Sequence, residues 1–235
     1  ARLARKLIET FNDPVEVKGH RLQITTSVGI SLFPRDGDDT DSLIKNADAA
    51  MYRAKKEGRN NFQYYNPELT TQAFEKMAME SDLKQSIDKN ELVLYYQPQI
   101  CLTAGNIVAI ESLVHWQHPT MGLINPARFI SIAEESGFIL AMGEWMIETA
   151  CKQMRHWLDE GAPMNKIVVN VSAAQLLRSD FVATVERMLR THGLSPHCLE
   201  LEISENSFMD NVEPIIKALN GLAEAGVDLT IANFG

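Results

Sequence analysis

The 235-residue chain never strings together the roughly 18 apolar residues that a bilayer-spanning helix needs. Its first run, ARLARKLIETF, is patterned as an amphipathic helix and lacks the apolar core and small-residue cleavage site of a secretory signal. Cysteine is scarce. Cys101, Cys151 and Cys198 are odd in number and far apart, with no CxxC and no Cys/His spacing suited to zinc. This excludes a disulfide framework and predicts buried free thiols in a reducing compartment, hence a cytoplasmic location for this segment, with a membrane-anchored upstream region still compatible. Positive charge is also in deficit, and unevenly. Residues 1–66 hold 11 Lys/Arg against 9 Asp/Glu, whereas residues 67–235 hold 11 against 22, for a net charge of -9 overall. The acidic part repels a nucleic-acid backbone and no basic-aromatic stripe offsets it, so neither DNA nor RNA is an expected partner. A small anionic ligand stays compatible, because local donors and metals can outweigh net charge.

What is present is ordinary globular composition, 45% apolar and 23% charged, in a clear succession of patterns. Residues 1–11 read as a helix, and 15–19 and 22–33 as two strands joined near Gly19-His20. Pro34 through Asp39 read as a turn. Leu43, Ala47, Ala50, Met51 and Ala54 form an apolar stripe predicting a helix over 41–57, with Asp41 as its N-cap and Gly58 as its stop. Residues 62–65 read as a strand. These few elements cannot close a robust core in 66 residues, so the segment reads as the back half of a domain. Asn66-Pro67 breaks the last strand, and residues 67–90 read as a connector and helix.

Beyond it, strands are expected at 92–97, 107–114, 167–172, 198–204 and 227–234, and helices at 126–136, 142–160, 179–192 and 212–225. Pro126 suits a first helical turn, and Gly161, Gly193 and Gly226 read as stops. The helix holding Glu144 through Trp157 is apolar enough to pack internally or against a partner. Strand–helix alternation argues a parallel sheet. Glu111, Asn170, Glu202 and Glu205 recur within or just past successive apolar strands, as ligands do at the carboxyl ends of barrel strands. Five strands fall short of an eight-stranded barrel, so the chain is expected to continue past Gly235.

SVGISLFP (27–34) and NADAAMYRAKKEGRN (46–60) resemble the C-terminal half of a GGDEF domain, the diguanylate cyclase fold. YYQPQI (95–100), ESLVHWQHPTMGLINPARFISIAEESG (111–137), NVSAAQL (170–176), LELEISENSFM (199–209) and GVDLTIANFG (226–235) resemble an EAL domain, the cyclic di-GMP phosphodiesterase fold. The resemblance implies an α/β chain in three parts: 1–66, the end of a GGDEF domain; 67–90, a connector; 91–235, the first part of an EAL-type TIM (β/α) barrel. In the first part it implies that Lys55 and Arg59 contact nucleotide phosphates. Four residues apart, they share one helical flank, but a solvated basic helix end beside Gly58 would read the same way. In the third part it implies two divalent cations, Mg2+ or Mn2+, held by hard oxygen ligands. Glu111, Asn170 and Glu202 match family metal ligands, and Glu205 matches a glutamate linked to a loop that orders metals and dimer. Gln97, Glu111, Leu113 and Pro126 match the nucleotide-contacting frame. Structural alternatives stand beside these: a salt-bridged Glu111, a strand-end cap for Asn170, and a Glu202 that merely shares a strand face with Glu200 and Ser204.

The chain also departs from the family. Where an Asp-Asp-Phe-Gly run is expected it has Ala232-Asn233-Phe234-Gly235. Ala232 has no lone pair to offer, and Asn233 offers only a neutral amide oxygen. His115 stands where the family has a phosphate-contacting arginine, which removes a bidentate charged contact. Ser112 and Ser204 are mild changes. A family lysine, glutamate and glutamine fall beyond Gly235. These features predict an EAL half without catalytic residues of its own, binding Mg2+ or Mn2+ weakly at Glu111, Asn170, Glu202 and Asn233, and taking cyclic di-GMP as a regulatory ligand. The alternatives are a working phosphodiesterase that yields pGpG, and a protein-interaction module without nucleotide affinity. A homodimer through the EAL half and an upstream sensor domain are the partners the resemblance implies.

Overall fold

The computed structural model describes residues 2–11, 15–17, 20–22, 25–162, 164, 166–204 and 212–232, with 15–17, 20–22, 68–70 and 72–74 in backbone only. The chain divides into two compact units, Ala1–Ala78 and Met79–Gly235.

In the first unit, α1 (Arg2–Thr10) buries Ala4 and Ile8, one turn apart. β1 (Val15–Val17) pairs antiparallel with β2 (His20–Leu22). β3 (Val28–Ile30) pairs parallel with β4 (Phe62–Tyr64), and α2 (Thr40–Lys56) is the crossover between them. The strand expected over 22–33 is thus two strands in two different sheets. An alternating stretch shows which face is apolar but not which partner each part will find. The cap of α2 also differs. Asp39, extended at φ -135° and ψ 167°, accepts from Ser42 N–H at 2.8 Å and Ser42 Oγ at 2.9 Å, whereas Asp41 already lies in the first turn. A Cβ on Gly29 would overlap the backbone of α2 at Ala47 and Met51, so only glycine permits this close strand–helix approach.

The second unit is one mixed sheet with helices on one side. α3 (Pro67–Leu83), whose last turn belongs to this unit, leads into β5 (Leu92–Ile100), β6 (Ile107–His118), β7 (Gly122–Ile124), α4 (Pro126–Glu135) and α5 (Ile139–Asp159). Then come β8 (Ile167–Val171), the short α6 (Ala173–Leu176), α7 (Phe181–Thr191), β9 (Leu199–Ser204), α8 (Val212–Glu224) and β10 (Asp228–Ala232). The strand order is β10-β9-β8-β6-β5, with β7 on the far end of β6. β6, β8, β9 and β10 run parallel, as alternation with helices predicts. β5 is the exception. It pairs antiparallel with β6, because the loop over 101–106 is too short for a parallel crossover. β7 and α6 went unread, being too short to show a period. Residues 233 and 234 of the last expected strand lie outside the described residues.

Leu199, Leu201 and Ile203 turn to the helices and are fully buried; Glu200, Glu202 and Ser204 take the other face. The helix side carries the core, in which α5 buries Met142, Met146, Ile147, Ala150, Cys151 and Met154. The apolar face of α5 therefore packs internally. Cys151 is a buried thiol pushed up to about 12, chiefly by burial, whereas Cys101 and Cys198 are only half-buried, contrary to expectation. No helix among the described residues is long and apolar enough to cross a membrane.

Candidate functional site

The helix-free face of the second unit is built in rungs, since residues paired across parallel strands share a face. Glu111, Val168, Glu200 and Asp228 lie level on β6, β8, β9 and β10. The next rung holds Asn170, Glu202 and Thr230, and the one above it Ser204 and Ala232. Apolar residues filling the opposite face oblige these polar ones to point here.

Two of the three carboxylates of the lower rung share one cation. Lys166 Nζ lies 2.7 Å from Asp228 and 3.1 Å from Glu200, and Thr230 Oγ1 donates to Glu200 at 2.6 Å. Asp228, then Glu200, hold the Lys166 ammonium above its usual range, and Lys166 holds the Asp228 carboxyl below its own. Glu111 and Glu202 have no such partner: no Lys or Arg among the described residues pairs with either. Glu111 Oε1 instead accepts from Asn170 Nδ2 at 3.0 Å. A carboxylate only accepts, so the amide nitrogen of Asn170 must face Glu111, which turns the amide oxygen away from it. Burial, followed by the charges of Glu111 and Glu200, raises the Glu202 carboxyl above its usual range.

These three residues line a cavity of about 550 Å³, together with Leu113, Pro126, Ser204 and Ala232. Asn125 caps α4 by accepting from Ala127 N–H at 3.0 Å, which seats Pro126 at the first helical position on the cavity wall. Ile130 and Glu134, also on the wall, follow Pro126 at steps of four along α4. That spacing was available in the sequence and would have found them. Ser112 is buried, and its hydroxyl is satisfied by the Val168 carbonyl at 2.8 Å.

Other expected site residues lie elsewhere. Gln97 is exposed on β5, directly across from Glu111, and does not line the cavity. His115 lies on the same strand face as Glu111 but outside the cavity lining. Its ring meets Tyr95 edge-on at 4.7 Å, and Nδ1–H donates to the Leu113 carbonyl at 3.2 Å. Lys55 and Arg59 belong to the first unit, exposed at the end of α2 and just past it. Asn233 and Glu205 lie outside the described residues.

Glu111 and Glu202 are oxygen donors of the kind a hard cation takes, and Asn170 would have to turn its amide to add its oxygen beside Glu111. Among the described residues the wall beside Glu202 continues with Ala232 and Ser204. Among the described residues no group of three or more His, Cys, Asp or Glu could hold a metal.

Parallel strands alternating with helices, presenting acidic and amide groups toward their carboxyl ends, define a barrel-type ligand site. The EAL domain family matches residues 80–235, and the diguanylate cyclase GGDEF domain family matches residues 1–61. The chain belongs to the EAL domain family and carries GGDEF sequence ahead of the EAL part, the tandem arrangement of cyclic di-GMP signalling proteins.

Among curated relatives, the bifunctional diguanylate cyclase/cyclic di-GMP phosphodiesterase MucR of Pseudomonas aeruginosa is 38% identical over 100% of this chain and 34% of its own length. The cyclic di-GMP phosphodiesterase NbdA of the same organism is 37% identical over 99% of this chain and 30% of its own. The chain thus spans about a third of these relatives. Among solved structures, the PaMucR phosphodiesterase in complex with c-di-GMP shares 38% identity with a TM-score of 0.64, covering 67% of this chain and 64% of that one. The EAL enzyme Bd1971, with cAMP and cyclic di-GMP bound, shares 27% with a TM-score of 0.66, covering 86% and 53%.

Proposed function

We propose that the EAL half of this chain is a cyclic di-GMP receptor that does not hydrolyse its ligand. One observation carries the reading: Ala232 occupies the cavity wall one rung above Glu202 and level with Ser204, where a cation-bridging carboxylate would have to stand. The remaining wall, from Glu111 and Leu113 to Pro126, keeps the mixed polar and apolar lining that a nucleotide site requires. The PaMucR and Bd1971 structures, both holding cyclic di-GMP, support the ligand class. In this reading residues 1–66 are GGDEF sequence, residues 67–90 join it to the barrel, and a cation binds weakly at Glu111, Asn170 and Glu202.

The names of MucR and NbdA favour a second reading, a metal-dependent phosphodiesterase. Calorimetry with cyclic di-GMP, and chromatography for pGpG over hours with Mn2+ or Mg2+, separate the two. The expected outcome is saturable binding and no pGpG. Turnover by the unaltered protein would establish the second reading, and absence of binding would overturn the first. Ala232→Asp is expected to tighten Mn2+ binding, because it restores an anionic oxygen donor beside Glu202. Unchanged Mn2+ affinity would mean that residue 232 is not the missing ligand.

A further inference from the structure

One residue after Asn170, at Val171, β8 ends, and the chain turns at Ser172 and enters the four-residue α6. So short a helix has little stability of its own, and the conformation of this turn must be imposed from outside. Gln175 is placed to impose it. Its side chain is 3% exposed, and its Oε1 accepts from both Ser172 N–H, at 3.0 Å, and Ser172 Oγ, at 3.1 Å. Because Ser172 N–H can only donate, the carboxamide has one admissible orientation, oxygen toward Ser172 and nitrogen away. The nitrogen is buried with no hydrogen-bond partner among the described residues. It lies on α5 at Gly143, where an added Cβ would overlap the carboxamide. A second contact ties the same segment to α5: Arg178, just past α6, donates to Glu144 at 2.7 Å. A long, buried helix thus holds the Gln175 carboxamide, and the carboxamide holds the turn that follows Asn170.

We propose that Gln175, seated on Gly143, is a positioning residue for the ligand site: it fixes the turn after β8 and thereby the direction in which Asn170 presents its amide to Glu111 and to whatever the cavity binds. Simple helix capping does not require burial against a glycine of another helix with an unpaired N–H. The ligand part of the proposal rests on the cyclic di-GMP reading; the geometric part does not.

The test is the side-chain amide proton pair of Asn170 in NMR spectra of the whole chain, assigned by its loss in Asn170→Ser. Gly143→Ala substitutes no cavity-lining residue but displaces the carboxamide of Gln175, which is itself part of the lining; Gln175→Ala removes it. Both are expected to shift the Asn170 pair and to weaken cyclic di-GMP binding by roughly tenfold, while β8 backbone amides stay protected from exchange. Gln175→Glu, which keeps an acceptor oxygen at the same reach, is expected to retain the parental Asn170 signal and guards against an alanine variant that fails to fold. An Asn170 pair unmoved in folded Gly143→Ala or Gln175→Ala would overturn the proposal, as would equal displacement in Gln175→Glu. Should the parent bind no cyclic di-GMP, the functional reading fails, while the Asn170 signal still decides the positioning role.

Discussion

His115 shows how one side chain can be spent on its own strand. Its Nδ1–H is committed to the Leu113 carbonyl and its ring to the edge of Tyr95, so it presents no planar, charged fork to a phosphate. His115→Arg is expected to strengthen cyclic di-GMP binding by about ten- to a hundredfold, the worth of a charge-assisted contact of roughly 1.5–3 kcal/mol. Calorimetry measures it, and an unchanged Kd would remove His115 from the ligand site. Glu202 makes a prediction about stability. Burial and the nearby Glu111 charge raise its folded pKa above the ordinary 4.5, so the folded chain holds a proton that the unfolded chain releases. Its contribution therefore falls as pH rises from 4.5 through the folded value, and the loss persists at neutral pH. Glu202→Gln is expected to be more stable than the parent at pH 7, with the difference closing below pH 4.5. Urea unfolding across that range tests this; a variant less stable at pH 7 would refute it.

Single elements were unequally legible. α2 was readable because Leu43, Ala47, Ala50, Met51 and Ala54 repeat at helical spacing, and only its cap moved, from Asp41 to Asp39. Local pattern could not show that β3 accepts α2 at backbone distance through Gly29. Gly29→Ala is accordingly expected to cost about 1–3 kcal/mol by overpacking, since the obstruction is helix backbone and cannot rotate away. Asp39→Ala, which removes only a cap, should cost about 1 kcal/mol. Denaturant titrations that reverse this ranking would contradict the close approach. Across the sheet, Glu111, Asn170 and Glu202 could be picked out because each interrupts an apolar strand. Ile130 and Glu134 could have been found from the period of α4. Gln175 could not, because nothing local marks its contact with Gly143, 32 positions earlier.

At the scale of the whole molecule, the two units differ in what they bury. Among the described residues the apolar ones that the first buries are Ala4, Ile8, Ala50 and Ala54, three of them alanine, and it leaves Leu3, Phe33, Ile44 and Tyr52 exposed. The second encloses Trp116, Phe129 and a continuous aliphatic core. Apolar area removed from water is the main favourable contribution to folding, so the first unit should open at far lower free energy. Native-state hydrogen exchange is expected to show α1 and α2 amides exchanging well before those of β8 and β9. A single shared opening energy for both sets would contradict this.

Periodicity and composition by themselves determined the two-part organisation, the alternating strands and helices of the second part, and the identity of the polar residues that break its strands. Those are local properties: a helix or strand face is written in the spacing of a few neighbouring residues. Tertiary structure alone decided that β5 runs against β6, that Lys166 pairs with Glu200 and Asp228 but not with Glu111 or Glu202, and that His115 and Gln97 stand outside the cavity wall that Ala232 joins. Each of these depends on which strands become neighbours and in what register, and a register is set by long-range packing that no stretch of sequence contains.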